Sequence, residues 1–301
     1  MESADRRIYR IAREPRGLAS ERQVVMPFAG IDIGSTMTKV VIVGEKEDIL
    51  SSVIGPTGAE HRHLAFQVVD AAVKKAGLVF ESLDFVVATG YGRINVPFAD
   101  KQITEITCHA RGVRVLQPTV RTIIDIGGQD CKGIKLDGQG KVSNFVMNDK
   151  CAAGTGRFLE VIAEALGIEL ADMGELSLRA ETYVKISNTC TVFAEHEVTS
   201  QLAEGAAIPE IVAGLHEAIA GRVVNMVRQL GIEKDVVVTG GGAKNIGLVR
   251  AIERKVGFPV LLPPDPFLTG GLGAALLGRD FFGRGMRRDH KRVMEGVTFF
   301  K

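Results

Sequence analysis

Two short segments of the chain carry the same set of residues, of types that could bind a nucleotide phosphate. Residues 31–41 read IDIGSTMTKVV and residues 124–134 read IDIGGQDCKGI, so an aspartate, a glycine and a lysine recur at matched positions. Each segment is an apolar strand ending in Asp-x-Gly, a small polar turn and a second apolar strand, which predicts a β-hairpin. Backbone N–H groups in such a turn can bind an anion, and the carboxylate beside them can hold a hydrated Mg²⁺. Two copies predict a duplicated protein that closes on a nucleotide from both sides.

The elements that must position these turns are duplicated as well. Residues 84–90 read DFVVATG and residues 235–242 read DVVVTGGG, and both are short strands rich in β-branched residues that run into glycine. Each half therefore consists of hairpin strands, a helical segment, a further strand and a glycine-rich turn. Strand–helix alternation after an antiparallel opening predicts a mixed-sheet α/β fold in two lobes.

Length and composition agree with two lobes of ordinary size. The chain has 301 residues, of which 46% are hydrophobic, and its net charge is +1. This charge gives no electrostatic reason to expect nucleic acid or an anionic membrane as a partner. No apolar run approaches the ~18 residues of a membrane-spanning helix. The first 27 residues carry six arginines with acids interspersed and no apolar core, which is unlike a secretory signal, so a cytoplasmic location is expected.

The four cysteines fall into two groups. Without an export signal a disulfide is a poor default, and core packing is the favoured interpretation of Cys108 and Cys131. Cys151 and Cys190 each precede a predicted helix, where the helix dipole stabilises a thiolate, and both lie in an insert that interrupts the duplication. Two thiolates cannot complete a four-cysteine iron–sulfur site, but two chains related by a twofold axis can. From these residues alone, two structural cysteines remain the favoured alternative.

The motifs together resemble the ATPase activator family of 2-hydroxyacyl-CoA dehydratases and benzoyl-CoA reductases. The Asp-Gly turns alone would fit any member of the actin, Hsp70 and sugar kinase superfamily, whereas the segments around Cys151 and Cys190 are specific to this family. Within the family, GYGRINVPF, CHARG and DIGGQDCK are most similar to the ATP-hydrolysing subunits of benzoyl-CoA reductase. The resemblance covers roughly residues 29–278 and rests on GIDIGSTMTKVVIV, ATGYGR, DIGGQDCK, MNDKCAAGTGRFLE, SNTCTVFAEHEV and VVVTGGGAKN.

The resemblance implies a duplicated two-lobe α/β ATPase fold of the actin/Hsp70/sugar kinase (ribonuclease H-like) type. The expected organisation is an N-terminal arm (1–28), a first ATPase lobe (29–121), a second ATPase lobe (122–278) with a cysteine-bearing helical insert at about 150–205, and a basic tail (279–301).

The resemblance also assigns candidate site residues. Asp32 and Asp125 are the implied carboxylates for Mg²⁺ or the attacking water, and Gln129 is expected to help hold that water. The implied nucleotide contacts are Gly34, Ser35, Thr36, Lys39, Gly127, Gly128, Gly240, Gly241, Gly242 and Lys244. For Lys39 a strand-end charge is an equal alternative, and the role of Lys244 is open.

Two further segments complete the implied site. The glycines and threonine at 154–156 form either a helix cap or a nucleotide contact, and a cap is favoured. Cys151 and Cys190 are expected to bind one [4Fe–4S] cluster shared between two chains.

The function implied by the resemblance is that of an ATP-hydrolysing iron–sulfur activator, which couples ATP hydrolysis to low-potential electron transfer onto a CoA-thioester reductase. Benzoyl-CoA reductase is the main expectation, and a homodimeric activator of a 2-hydroxyacyl-CoA dehydratase is the alternative. The expected cofactors are ATP, Mg²⁺ and the shared cluster. The expected partners are an identical or paralogous ATPase subunit, the CoA-thioester-reducing subunits and ferredoxin.

Two rival classes of protein would also have the two Asp-Gly turns, called the phosphate turns below. A small-molecule kinase of the same superfamily would need a substrate base between the lobes, and its cysteine placement would be accidental. A nucleotide-gated, chaperone-like binding module would need a client-binding domain, for which this short chain has no segment.

Overall fold

Two mixed β-sheets repeat one plan in the computed structural model, which describes residues 26–58, 61–186 and 190–288. The first sheet has the strand order β3-β2-β1-β4-β5 and the second has the order β8-β7-β6-β9. The strands are β1 (Phe28–Ile33), β2 (Met37–Val43), β3 (Ile49–Pro56), β4 (Phe85–Thr89), β5 (Lys101–Gln102), β6 (Thr122–Ile126), β7 (Cys131–Leu136), β8 (Val142–Asn148) and β9 (Val236–Thr239). The helices are α1 (His61–Lys75), α2 (Glu105–Leu116), α3 (Gly156–Leu166), α4 (Met173–Leu178), α5 (Thr191–Ala203), α6 (Ile208–Arg228), α7 (Ile246–Val256) and α8 (Thr269–Gly283).

Both predicted hairpins are present, and their registers match. β1 pairs with β2 antiparallel so that Asp32 lies opposite Lys39, and β6 pairs with β7 so that Asp125 lies opposite Lys132. β1 also pairs in parallel with β4, and β6 with β9. Each central strand is fully buried, as expected for a strand covered on both faces. The duplication therefore holds in three dimensions, and it places the two aspartates at the same end of equivalent strands.

The larger core belongs to the second sheet, because α3 to α7 pack around it. Pro209 lies in the first turn of α6, where its missing N–H costs nothing. α3 ends at Gly167, which has the left-handed conformation that helix C-termini favour. α7 begins where the Asn245 side chain accepts a hydrogen bond of 3.0 Å from the Leu248 N–H. No helix in the described ranges has the length and apolar character needed to cross a bilayer.

Two helices cross between the lobes, and each packs against the sheet of the other half of the chain. α2 follows the first sheet along the chain, but its apolar face packs against strands of the second sheet. α8 follows the second sheet and packs against β1, β2 and β4 of the first. The helices meet at Gly112 and Gly273, where an added side chain on either would overlap the backbone of the other helix. The predicted lobe boundaries at 121 and 278 stay a prediction, as does the extent of the arm and tail, most of which lies outside the described residues.

Candidate active site

A cleft of about 550 Å³ opens between the two hairpin turns and is lined from both lobes. The structure brings together around it almost all of the side chains and glycines that the sequence predicts. Gln129 is the exception, because it is exposed and does not line the cleft. The predicted residues that line it are Asp32, Gly34, Ser35, Thr36, Lys39, Asp125, Gly127, Gly128, Gly240, Gly241, Gly242 and Lys244.

The first turn is closed by a hydrogen bond of 3.1 Å from the Gly34 N–H to the Met37 carbonyl. Lys39 reaches back across the hairpin, and its Nζ lies 3.3 Å from Asp32 Oδ2. The Asp32 side chain is buried and that of Lys39 is nearly so. Lys39 therefore points into the cleft rather than into solvent, as a phosphate-contacting lysine would.

The second turn holds a denser group of charges. Lys132 Nζ lies 3.3 Å from Asp125 Oδ2 and 2.5 Å from Asp130 Oδ2, and all three side chains are buried. Burial raises the pKa of the Asp125 carboxyl, but the positive charges of His109, Lys132 and Lys39 outweigh this effect and hold that pKa below its usual value. Asp125 is therefore ionised near neutral pH.

The neighbouring groups show the same competition. Burial and the charge of Asp125 raise the pKa of Asp130 against the opposing effect of Lys132. Burial lowers the pKa of Lys132, but the two carboxylates raise it by more, so the lysine stays charged. Asp32 and Asp125 thus offer buried carboxylate oxygens to the cleft of about 550 Å³. One or two carboxylates together with phosphate oxygens are the ligands that Mg²⁺ takes in nucleotide sites, so these residues fit that ion.

The glycine-rich turn after β9 lies close against the second carboxylate. Gly240 has φ 79°, and a methyl group there would lie 2.5 Å from Asp125 Oδ1. Only glycine combines this conformation with this approach. Gly90, at the equivalent place after β4, has the same φ and the same proximity to Asp32. Lys244 is half exposed, with its Nζ 3.3 Å from Asp265 Oδ1 at the rim of the cleft.

Several lining residues were not predicted from the sequence, namely Tyr91, Glu105, His109, Asp130 and Lys132. The matched Asp-to-Lys spacing of the two hairpins was a signal for Lys132. For His109 the helical pattern of α2 gives no such signal, because it marks the residue only as part of a buried face.

Burial divides the four cysteines into the same two groups as their sequence context. Cys108 and Cys131 are buried, and burial raises the pKa of Cys108 to about 12 and also raises that of Cys131. Cys190 is the residue just before α5, and Cys151 lies in the turn that precedes α3; both are half-buried. In the described ranges no three His, Cys, Asp or Glu side chains group as a metal site would require. Thiols are the donors that iron–sulfur clusters take, so the chemistry of the half-buried Cys151 and Cys190 fits that group.

The segment that follows Cys151 is hydrogen-bonded to the turn between β6 and β7, which is the second phosphate turn. The first N–H groups of α3, on Gly156 and Arg157, donate to the carbonyls of Gly127 (2.9 Å) and Gly128 (2.7 Å). Thr155 takes the N-cap position, but its hydroxyl donates to the Ala152 carbonyl instead of capping the helix. The segment 154–156 thus supplies the N-cap residue of α3, as predicted, but the β6–β7 turn rather than the Thr155 side chain satisfies the first N–H groups of the helix.

Two hairpins of matched register around one cleft define the two-lobe fold of the actin, Hsp70 and sugar kinase type. A glucokinase of the ROK family from Streptomyces griseus shares this fold, with a TM-score of 0.53 at 14% identity over 85% of this chain and 99% of that chain. The chain belongs to the BadF/BadG/BcrA/BcrD ATPase family, which matches residues 29–278.

Relatives within the family are close. The 2-hydroxyisocaproyl-CoA dehydratase activator of Clostridioides difficile is 49% identical over 83% of this chain and 94% of its own length. The solved structure of the activator of that dehydratase from Clostridium difficile, with bound ADPNP, has a TM-score of 0.82 and covers 89% of this chain and 99% of that chain.

These comparisons favour the dehydratase activator over the benzoyl-CoA reductase component that was the main expectation. A benzoyl-CoA reductase subunit of Thauera aromatica is 33% identical over 83% of this chain and 92% of its own length. The motifs behind that expectation lie in the turn after β4, in α2 and in the second phosphate turn. These parts surround the nucleotide cleft, so they carry little information about the partner enzyme.

Proposed function

We propose that the chain is an ATP-hydrolysing activator of a 2-hydroxyacyl-CoA dehydratase, which it supplies with a low-potential electron. The observation that carries this proposal is the pair of Asp–Lys hairpins that face one cleft, Asp32 with Lys39 and Asp125 with Lys132. The high identity to dehydratase activators supports the choice of partner.

The proposed roles follow from the positions of the groups. The N–H groups of the two turns would bind the β- and γ-phosphates, and Asp32 and Asp125 would hold Mg²⁺ and orient the attacking water. Lys39 and Lys132 neutralise charge that builds up on the transferred phosphoryl oxygens. Gln129 is proposed to orient the same water, which requires that it turn into the cleft from its exposed position.

Electron transfer is proposed to use Cys151 and Cys190. These thiolates and their counterparts in a second, identical or paralogous chain would hold a [4Fe–4S] cluster, which when bound would pass on single low-potential electrons taken from ferredoxin. Val192 and Phe193, in the first turn of α5 beside Cys190, are 57% and 64% exposed. Apolar side chains this exposed mark a surface that another chain can cover.

Coupling between the two sites is proposed to run through α3. The carbonyls of Gly127 and Gly128 bind the N–H groups of Gly156 and Arg157, and Asn148 Nδ2 donates to the Cys151 carbonyl at 2.9 Å. Nucleotide contacts that shift the second phosphate turn therefore also shift the turn that carries Cys151. The nucleotide must contact the two arrangements differently, since equal binding would change nothing.

The test of the nucleotide site is Asp125→Asn. Loss of one positioned charge in a phosphoryl-transfer site is expected to lower ATP hydrolysis about 100-fold or more, while the fold is kept. The matched control is Asp137→Asn, because Asp137 lies in the β7–β8 turn outside the cleft and an asparagine oxygen can still accept the hydrogen bond from the Gln139 N–H. Free phosphate release is measured in both variants. Unchanged hydrolysis in Asp125→Asn, or transfer of the phosphoryl group to a small molecule, would contradict the proposal.

A further inference from the structure

A buried histidine lies between the two site aspartates. His109, on α2, is 6% exposed and lines the cleft, and its Nε2 lies 3.6 Å from Asp125 Oδ2. Its other ring nitrogen, Nδ1, lies 2.9 Å from the hydroxyl of Thr269, the first residue of α8. One imidazole thus joins the crossing helices to the second carboxylate.

A chain of hydroxyl groups fixes the orientation of this ring. Thr239 Oγ1 donates its only proton to the Pro266 carbonyl at 2.9 Å. Thr239 must then accept from Thr269 Oγ1, which lies 2.8 Å away. Because the Thr269 hydroxyl has donated its proton, it must accept from His109, so Nδ1 carries hydrogen. The ring is therefore anchored at Nδ1, and Nε2 is the atom presented to the cleft. Nε2 can hold the Asp125 carboxylate only as an N–H donor, so this role requires both ring nitrogens to carry hydrogen.

The duplication places a glycine in one half where the other half has this histidine. The contacts of Gly112 and Gly273 at the helix crossing are reciprocal, and they relate His109 on α2 to Gly270 on α8. Gly270 borders the first aspartate as His109 borders the second. A methyl group on Gly270 would lie 2.9 Å from Asp32 Oδ2 and 3.2 Å from His109 Nε2. The half with glycine leaves space beside Asp32, and the His109 imidazole borders that space while its Nε2 lies 3.6 Å from Asp125 Oδ2.

We propose that His109 is a positioning residue for ATP hydrolysis, which holds the Asp125 carboxylate in the orientation that places Mg²⁺ and the attacking water. The inference rests on the proposed ATPase function. The histidine acts through Asp125, and the Thr269–Thr239 hydroxyl chain holds it in place. A carboxylate fixed in this way does not have to reorient during the reaction.

Two amide substitutions separate this role from simple packing. In His109→Gln the amide nitrogen takes the place of Nε2, whereas in His109→Asn it takes the place of Nδ1 and keeps only the bond to Thr269. We expect His109→Asn to lower kcat for ATP hydrolysis by ~10- to 100-fold, with the ADP dissociation constant unchanged, because a misplaced group costs rate rather than binding. We expect His109→Gln to keep most of the rate. The reverse order, with Asn active and Gln inactive, would overturn the proposal.

The anchor is tested without altering the histidine. Thr269→Val keeps the shape of the residue and removes its hydroxyl, whereas Thr269→Ser keeps the hydroxyl. The valine variant should have a lower kcat with unchanged affinity for ADP. The serine variant should keep the kcat of the unaltered protein. Equal rates in both variants would show that the hydroxyl chain has no part in hydrolysis.

A double-mutant cycle tests whether His109 acts through Asp125. If it does, His109→Asn combined with Asp125→Asn should be no slower than Asp125→Asn alone in single-turnover phosphate release. Independent, multiplicative losses would contradict this. Strong loss in Asp125→Asn with normal rates in both His109 variants and in Thr269→Val would overturn this inference and leave the proposed function standing. No hydrolysis by the unaltered protein would overturn both.

Discussion

His216 is a second buried histidine, and its surroundings give it a structural role. It lies on α6 and is 1% exposed; its Nδ1 lies 2.9 Å from Ser177 Oγ, and its Nε2 accepts a hydrogen bond of 2.9 Å from the Asn245 side chain. Burial, together with the charge of Arg254, lowers the pKa of His216 to about 3. The imidazole therefore stays neutral in the folded protein and ties α4 and the start of α7 to α6.

The neutral state of His216 makes the stability of the fold depend on pH. In the unfolded chain the imidazole takes up a proton below about pH 6.5, but in the folded chain it does so only near pH 3. Between these values the unfolded state binds more protons, so this residue removes about 1.4 kcal/mol of unfolding free energy for each unit that the pH falls. Urea unfolding at a series of pH values gives the unfolding free energy as a function of pH. Between about pH 3 and pH 6.5 this free energy should fall less steeply with decreasing pH in His216→Gln than in the unaltered protein. Equal slopes would contradict the prediction.

At the scale of the element, the crossing of α2 and α8 depends on two glycines. The backbones approach so closely at Gly112 and Gly273 that neither position has room for a methyl group. Both helices also carry residues of the cleft, His109 on α2 and Thr269 on α8. Separation of the helices would therefore disturb packing and the site together.

Gly112→Ala is expected to destabilise the protein by about 1–3 kcal/mol, because the new methyl group overlaps the Thr269 carbonyl of the facing helix. Gly221→Ala is the matched control. Gly221 lies inside α6, and a methyl group there would meet only the end of the Lys255 side chain, at 4.0 Å. This second change should stabilise the helix by about 0.5–1 kcal/mol. Unfolding free energies in urea measure both changes, and a neutral Gly112→Ala would show that the crossing can relax.

Much of the order of strands and helices could be predicted from the sequence, because each hairpin is specified by residues close together in the chain. Alternating apolar residues and the Asp-x-Gly turn specify β1–β2 and β6–β7 without reference to the rest of the chain. The exchange of α2 and α8 could not be predicted, since an apolar helix face shows that it is covered but not which sheet covers it. The same limit applies to the site. The glycine turns and aspartates were predicted, whereas the role of His109 depends on Thr269, which lies 160 positions away in the sequence.

At the scale of the whole molecule, the proposed activator requires more than one chain. The described part of one chain offers two half-buried thiols, in two separate turns. A cluster with four thiolate ligands then needs a second copy or a paralogue, and it would cross-link the two. Iron binding and assembly are therefore expected to depend on each other.

Cys151→Ser and Cys190→Ser should each abolish iron binding and favour the monomer, because serine is a poor ligand where soft thiolates are preferred. ATP binding should survive in part, since neither cysteine lines the cleft. Cys108→Ser and Cys131→Ser are the controls, and both should retain iron. Anaerobic reconstitution, iron assay and sedimentation compare the four variants. Iron loss in the controls but not in Cys151→Ser would contradict the assignment, as would a monomer with a complete four-iron cluster.

The exchange of α2 and α8 also determines how the protein could be divided. A cut in the connection between Leu116 and Thr122 would leave an N-terminal piece whose sheet lacks α8 and a C-terminal piece whose sheet lacks α2. Each piece would expose the apolar sheet face that the other piece's helix covers. We therefore expect that neither lobe folds on its own. Separately expressed halves would be insoluble on their own and would regain the fold only by fragment complementation when mixed.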